Sequence, residues 1–463
     1  MGRIDHVVVL MLENRSFDSM VGRLYPERAD FDGLTGNESN PLHAADGSCR
    51  SLPVWNSPDI TPESARIPDP DPGELFDDIT MQVFGLDGSP TDPPSMSGFV
   101  DNYLRQPGDH SHDPQYDPGA VMHCFTPAQV PVISELARCF AVCDSWFSSA
   151  PCQTWPNRLF AHAGTAGGRV NNHTIPRPFF LPTIFRHLER HKRSWRVYFH
   201  DIPQTAALFD LWTRIPTHFR LFDPEFLADA RDGGLPNYSF VEPRYFASLI
   251  SGKPPNDQHP PHNIVYGEQL IATLYNALRS GPVWERTLLM VIYDEHGGCY
   301  DHVAPPAATP PGPPYPAEFR FDRFGPRIPA VIASPWIPAG TVVRPPVGSP
   351  PFDHTSVLAT LHRLFDLGPA PTPRVAAAPD LLATLSLPGP HNLGPARLDV
   401  SDTTADRSEL RSLRARSWNG HQRRLRDPLA LIPGSLARAA GHFHGARRNR
   451  RDRNKRRRDT DPS

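Results

Sequence analysis

Cysteine is scarce in this chain: six residues in 463, namely Cys49, Cys124, Cys139, Cys143, Cys152 and Cys299, with no C-x-x-C pair among them. Such scatter excludes a disulfide framework and the usual zinc or dithiol motifs. Long hydrophobic runs are missing too, and none approaches the roughly 18 residues of a membrane span. The apolar stretch at residues 7–12 is too short for a signal core and leads straight into charges. His6 stands where a myristoylation signal needs Ser or Thr. Nothing in this N-terminal sequence directs export, so a cytoplasmic location is expected.

Hydrophobic residues make up 39% and charged residues 21%, which excludes a disordered polyelectrolyte. The length admits about three domains or one large α/β domain. Proline is abundant, at 56 residues, about 12% where roughly 5% is usual. With glycine it reaches about 19%, short of the roughly 25–30% of low-complexity chains. Collagen, coiled coil and wholly disordered classes are therefore excluded. Two stretches hold much of the proline, 53–94 and 305–351, and these read as insertions or long surface loops.

The net charge of −3 conceals a local imbalance: nine Lys or Arg fall within residues 447–458. A block of this kind reads as a solvated, disordered tail over 447–463, with an anionic surface or nucleic acid as the alternative partner.

Short apolar runs predict buried strands at 4–12, 140–144, 195–199, 288–293 and 328–334. They are mostly continuous rather than alternating, as in sheets covered on both faces. Helical patterns at 131–138, 182–193, 267–279 and 355–365 alternate with them. The fold class expected is α/β, a doubly wound, mainly parallel sheet sandwiched between helices. Residues 1–400 form the main domain, with proline-rich insertions at about 50–95 and 305–351. A helical extension over 401–446 and the basic tail follow. Sheets of this class carry their sites at the carboxyl ends of strands.

Two strands end in paired oxygen donors. The first leads into Glu13-Asn14 and the run at 288–293 into Asp294-Glu295-His296-Gly297-Gly298. Adjacent carboxylates at a strand end repel unless a cation lies between them, and oxygen-only ligands suit a hard divalent metal. Helix capping by Asn14 or Ser16 is the plainer alternative. A third element, T-x-P-x-R from Thr154 to Arg158, places a hydroxyl just before a proline-started helix. There it either caps the helix or, bound to metal, ionises and attacks phosphorus. Loop histidines beside these strands, His200, His259, His262, His302 and His354, can bind phosphate oxygens or move protons. Trp146, Phe147 and Trp155 near the hydroxyl could pack a cationic head group, although aromatics in such runs are more often core.

Taken together, IDHVVVLMLENRSFD, TWPNRLFAHAGT, NDQHPPH, VIYDEHGGCYDHVAPP and FDHTSVLATLHRLF resemble the bacterial phosphoesterase family. That family contains phosphatidylcholine-hydrolysing phospholipases C and a related acid phosphatase, within the alkaline phosphatase superfamily. The likeness runs in order from residue 4 to about 367. It implies an alkaline phosphatase-like fold and phosphoryl transfer. It also implies one divalent ion (Ca, Mn or Mg) on Glu13, Asn14, Thr154, Asp294 and Glu295. Thr154 matches the family nucleophile, His259 a catalytic residue, and His200, His262 and His302 phosphate-binding residues. The implied substrate is a phosphate ester such as a phospholipid, with phosphomonoesters as the alternative. The family's small residue before the nucleophile is replaced here by Cys152-Gln153. A sulfatase is disfavoured, because threonine cannot become formylglycine and Cys152 lies two residues too early. A non-catalytic binding protein on the same fold would show a damaged site, whereas all five ligand positions here are chemically competent.

Overall fold

The computed structural model describes residues 4–90, 92–106, 117–172, 179–316, 318–399 and 401–415. Its strands are β1 (His6–Leu12), β2 (Ser39–His43), β3 (Cys49–Pro53), β4 (Ala141–Cys143), β5 (Trp195–Phe199), β6 (Phe219–Leu221), β7 (Tyr238–Glu242), β8 (Thr287–Tyr293), β9 (Ala330–Ala333) and β10 (Thr341–Val343). Eight of them make one sheet in the order β10-β4-β9-β8-β1-β7-β5-β6, and β2 and β3 pair as a separate hairpin. All neighbours in the large sheet are parallel except β9, which runs against both β8 and β4.

Every residue of β1 and β8 is buried, which requires cover on both faces. The helices supply it in two sets. One contains Pro131–Cys139, Leu227–Asp232 and Ile264–Ser280; the other contains Thr154–Ala163, Ile184–Arg190, Thr355–Phe365 and Pro373–Ala377. The doubly wound, mainly parallel expectation is met. The sequence pattern located β1, β4, β5, β8 and β9 but not β7, whose polar Ser239 and Glu242 are fully buried.

The first proline-rich stretch folds rather than trailing as a loop. Together with the β2–β3 hairpin and the helices Phe76–Phe84 and Phe99–Leu104 it closes a second, smaller core around Leu42, Ile79, Val83, Phe99 and Val121. Tyr300, from the loop after β8, joins that core and anchors it beside the sheet's carboxyl edge. The second stretch contributes β9 and β10, and its Phe319 and Phe321 pack against Cys152 and Phe160. The helical extension is described only as Arg407–Ala415, where Glu409 accepts from Arg66 at 2.8 Å and from the Tyr266 hydroxyl at 3.0 Å. The basic tail lies outside the described residues.

Helix Pro131–Cys139 shows how a distant residue completes a local element. Its N-cap is Val130, which has no side-chain oxygen. Glu268 reaches across from helix Ile264–Ser280 and accepts from Val132 N at 2.6 Å and Ile133 N at 3.3 Å. Burial raises this carboxyl to about 8 despite the two N–H groups, against an ordinary 4.5. Between those values the folded chain holds a proton that the unfolded chain has released, so stability falls as pH rises through that window. We therefore expect Glu268→Gln, uncharged throughout, to flatten the dependence of Tm on pH between about 5 and 8 relative to the parent, as read by calorimetry.

Candidate active site

The site begins with register. β1 and β8 are parallel neighbours with Leu12 opposite Tyr293, so the next residues, Glu13 and Asp294, emerge side by side. Asn14 adopts a left-handed φ of 52°. This turn lets its N–H donate to Asp294 Oδ1 at 2.8 Å while its side-chain amide donates to Glu295 Oε1. Gly297 permits the approach: a Cβ there would stand 2.2 Å from the Asn14 carbonyl oxygen. The two strand ends thus form one hydrogen-bonded unit. Asn14 does not cap a helix; Ser16 does, accepting from Ser19 N at 3.1 Å.

Glu13, Asp294 and Glu295 are fully buried. Burial raises the Glu13 carboxyl well above the ordinary range, opposed by the Arg158 guanidinium and reinforced by the Asp294 carboxyl beside it. Burial also raises Glu295, with Glu74 and Asp294 adding to the effect. Arg158 is the main compensating charge. Its Nη2 donates to Glu13 Oε1 at 2.5 Å and to the Met11 carbonyl at 3.2 Å, and its Nε lies 4.0 Å from Asp294 Oδ2. Gln204 adds a second donor to Glu13 Oε1 at 2.7 Å. Gln204 is held in turn by buried Glu242, which accepts from its backbone N–H at 2.5 Å.

Thr154 opens the helix Thr154–Ala163, with Gln153 as N-cap residue. Pro156 is therefore the third helical residue, not the first, and the hydroxyl does not act as a cap. Thr154 Oγ1 is buried without a hydrogen-bond partner among the described residues. The spacing of four places Arg158 one turn along the same helix face, so the helix delivers the hydroxyl and the guanidinium to one site. Gln153 has a role of its own: its Oε1 accepts from Asn172 N at 2.8 Å, and its Nε2 lies 3.5 Å from Glu74 Oε2.

Glu74 is the residue that sequence reading missed. It comes from the first proline-rich stretch, is buried, and lies 3.1 Å from His259 Nε2. Asp71 stands 3.5 Å from His259 Nδ1. Burial disfavours protonation of His259, but Asp71 and Glu74 outweigh it and hold the imidazole well above its ordinary value. The loop carrying His259 is fixed to the strand ends, because Glu13 N donates to the Asp257 carbonyl at 2.9 Å and Arg15 Nε to the Gln258 carbonyl at 2.8 Å. His262 pairs with Asp257 at 2.7 Å, its ring 6.3 Å from that of His259. His354 reaches the same place from the loop after β10, its Nε2 bonding the Asp294 carbonyl at 2.6 Å.

Two of the expected histidines belong to other networks. His200 ends β5, two strands from β1, where Nδ1 bonds the Glu242 carbonyl at 2.9 Å and the ring stacks on Phe222. His302 bonds Asp18 at 2.7 Å and Asp32 at 3.4 Å, beside the Arg327 pairs to Asp18 and Asp301. The aromatics are core: Trp146, Phe147 and Trp155 are buried, Trp146 stacking on Phe352 and Trp155 packing on Phe179.

The oxygen set suits a hard divalent cation. Asn14 Oδ1, Asp294 Oδ2 and Thr154 Oγ1 are buried and lack hydrogen-bond partners among the described residues. They stand among carboxylates whose charge Arg158 does not fully offset. These are the donors and the charge that Ca²⁺, Mn²⁺ or Mg²⁺ requires. Two further groups have ligating atoms within 4.8 Å of one another, Asp71–Glu74–His259 and Asp18–Asp301–His302; in the second, Arg327 already supplies the cation.

The model of the "Phosphoesterase family" matches residues 4–368. "Non-specific phospholipase C3" from Arabidopsis thaliana is 39% identical over 85% of this chain and 76% of its own length. "Phospholipase C B" from Mycobacterium tuberculosis is 30% identical over 86% of this chain and 80% of its own length. A putative sulfatase structure from Bacteroides thetaiotaomicron aligns with TM-score 0.36 and 14% identity over 55% of this chain and 68% of its own.

Removing Arg158 would strand buried carboxylates. We expect Arg158→Ala to cost about 3–5 kcal/mol, read from urea unfolding, with Arg158→Lys recovering only part because an ammonium has no second nitrogen to face Asp294 Oδ2, as Nε does, while it bonds Glu13.

Proposed function

The chain belongs to the Phosphoesterase family, and on that footing we propose a metal-dependent hydrolase of the phospholipase C type. It cleaves the phosphodiester of a phospholipid such as phosphatidylcholine through a phosphothreonine at Thr154. Hydrolysis of phosphoric esters is common to its relatives, the phospholipases C. The observation that carries the finer reading is the Thr154 hydroxyl: buried, without a hydrogen-bond partner among the described residues, and one helical turn from the guanidinium that holds Glu13.

Glu13, Asn14, Asp294, Glu295 and Thr154 would hold the cation. Such an ion would lower the pKa of the hydroxyl and offset negative charge on the phosphoryl oxygens. Thr154 Oγ, ionised with its proton released to solvent, attacks phosphorus in line with the bond to the glycerol oxygen. That bond breaks, and the departing oxygen takes the proton from His259 Nε2, which Glu74 and Asp71 keep charged near neutral pH. The phosphorylated head group remains on Thr154. Water then attacks the phosphothreonine and gives its proton to the now neutral His259, the P–Oγ bond breaks to return the ionised Thr154 oxygen, and the phosphorylated head group leaves, which restores the starting state. Arg158 stays on Glu13 throughout and fixes the nucleophile's helix against the strand end.

Four measurements test this reading. Thr154→Ala is expected to abolish covalent labelling and reduce turnover by at least roughly 10³-fold; near-parental activity would instead indicate a directly activated water. Stripping with EDTA should abolish turnover, and Ca²⁺, Mn²⁺ or Mg²⁺ should restore it. Turnover of p-nitrophenyl phosphorylcholine should exceed that of p-nitrophenyl phosphate, and the reverse order would favour a phosphomonoesterase. In the pH profile, kcat should fall on the alkaline side as His259 loses its proton. Glu74→Gln removes a charge that sustains that proton, so the alkaline limb should move to lower pH.

A further inference from the structure

Among the described residues, the large apolar side chains most open to solvent are Val347 at 107% relative exposure, Ile250 at 99%, Phe180 at 60% and Phe209 at 45%. Isolated exposed apolar residues are ordinary, but the placement of these four is not scattered. Ile250 tips the segment that leaves the carboxyl end of β7 and returns to the site at Asp257 and His259. Val347 tips the segment that leaves the carboxyl end of β10 and returns at His354, which bonds the Asp294 carbonyl. Phe209 lies on the segment after β5, just beyond Gln204, which bonds Glu13. Phe180 packs on Phe209 with ring centroids 4.6 Å apart.

All these segments rise from the sheet edge that carries Glu13 and Asp294. They also straddle the centre. β7 adjoins β1 on one side, and β10 lies three strands from β8 on the other, roughly 14 Å away at about 4.8 Å per strand. Both tips are tight turns through glycine at positive φ, Gly252 at 66° and Gly348 at 84°, and an added Cβ would meet nothing within 4 Å at either. The turns therefore stand clear of the protein's own surface. Lys253 is exposed in the same turn as Ile250, whereas Arg344, leaving β10, is half-exposed and paired with buried Asp144 at 2.8 Å.

We propose that the Ile250 and Val347 tips, with the Phe180–Phe209 pair, seat this edge of the sheet on a phospholipid bilayer. The apolar tips enter the acyl boundary while Lys253 meets a lipid phosphate. Seating on both sides of the centre would hold the strand-end carboxylates and Thr154 over the head groups. The proposal rests on the phospholipase reading and supplies its substrate's physical form: lipid in an assembled surface rather than in solution.

The test is the full-chain double variant Ile250→Asp/Val347→Asp, compared with Ile250→Leu/Val347→Leu, by co-sedimentation with phosphatidylcholine vesicles with and without phosphatidylserine. The Asp variant should bind vesicles at least roughly tenfold more weakly, and its hydrolysis of vesicle lipid should fall in step. Its turnover of water-soluble p-nitrophenyl phosphorylcholine should stay within about twofold of the parent, and the Leu variant should match the parent throughout. Unchanged vesicle binding by the Asp variant would overturn the proposal, as would an equal loss on the soluble substrate. Self-association of the parent that the Asp variant loses while still binding vesicles would make the tips a protein interface and overturn it too. Failure of the parent on the soluble substrate would sink the phospholipase reading, while the binding comparison would still decide the docking surface.

Discussion

Glu13 and Asp294 are brought together by strand pairing, and much of the active edge follows from that enforced proximity. Parallel β1 and β8 end in register, so two carboxyls meet where water is excluded. At such spacing in a low-dielectric site two negative charges cannot both persist without compensation. The chain meets the demand with Arg158, carried by the helix that begins at Thr154. The interaction that makes the strand ends tolerable is therefore the one that fixes the hydroxyl beside them. Gln204 and Glu242 extend the same network to β7.

A second constraint is the joining of two loops that leave these strands. Asp18, five residues beyond Glu13, accepts from His302 N at 2.7 Å, and Arg327 lies between Asp18 and Asp301. Burial raises Asp301 to about 6, against the pull of Arg327. Burial disfavours charge on His302, but its bonds to Asp18 and Asp32 lift it to about 10. This cluster satisfies its own charges and closes the loop after β1 onto the loop after β8.

The proline-rich stretches are part of the machinery. The first folds a small core and sends Glu74 inward to His259. Gln153, just before Thr154, reaches Glu74 on one side and Asn172 on the other. The second packs Phe319 and Phe321 behind Cys152 and then leads through β9 and β10 to the exposed tip at Val347. Proline at these places restricts segments that a sheet scaffold must hold in one shape near a reactive centre.

The sheet's central strands were legible in the letters alone, because β1 and β8 are continuous apolar runs that only a two-sided core accommodates. The sequence also marked Glu13, Asn14, Asp294, Glu295 and Thr154, since a polar pair directly after such a run, or a hydroxyl at a helix start, is visible in adjacent letters. β7 escaped because buried Ser239 and Glu242 break its apolar pattern, and their burial depends on partners far along the chain. Arg158 was visible in its motif, but its partner Glu13 lies 145 residues away. Glu74 sat in a stretch that reads locally as loop. His200 and His302 looked equivalent to His259 as histidines in loops beside strands, yet strand order puts His200 two strands from β1 and the Asp18–Arg327 cluster claims His302. Tertiary structure alone decided which charges meet, because burial and pairing depend on distance in space, and adjacent letters record only distance along the chain.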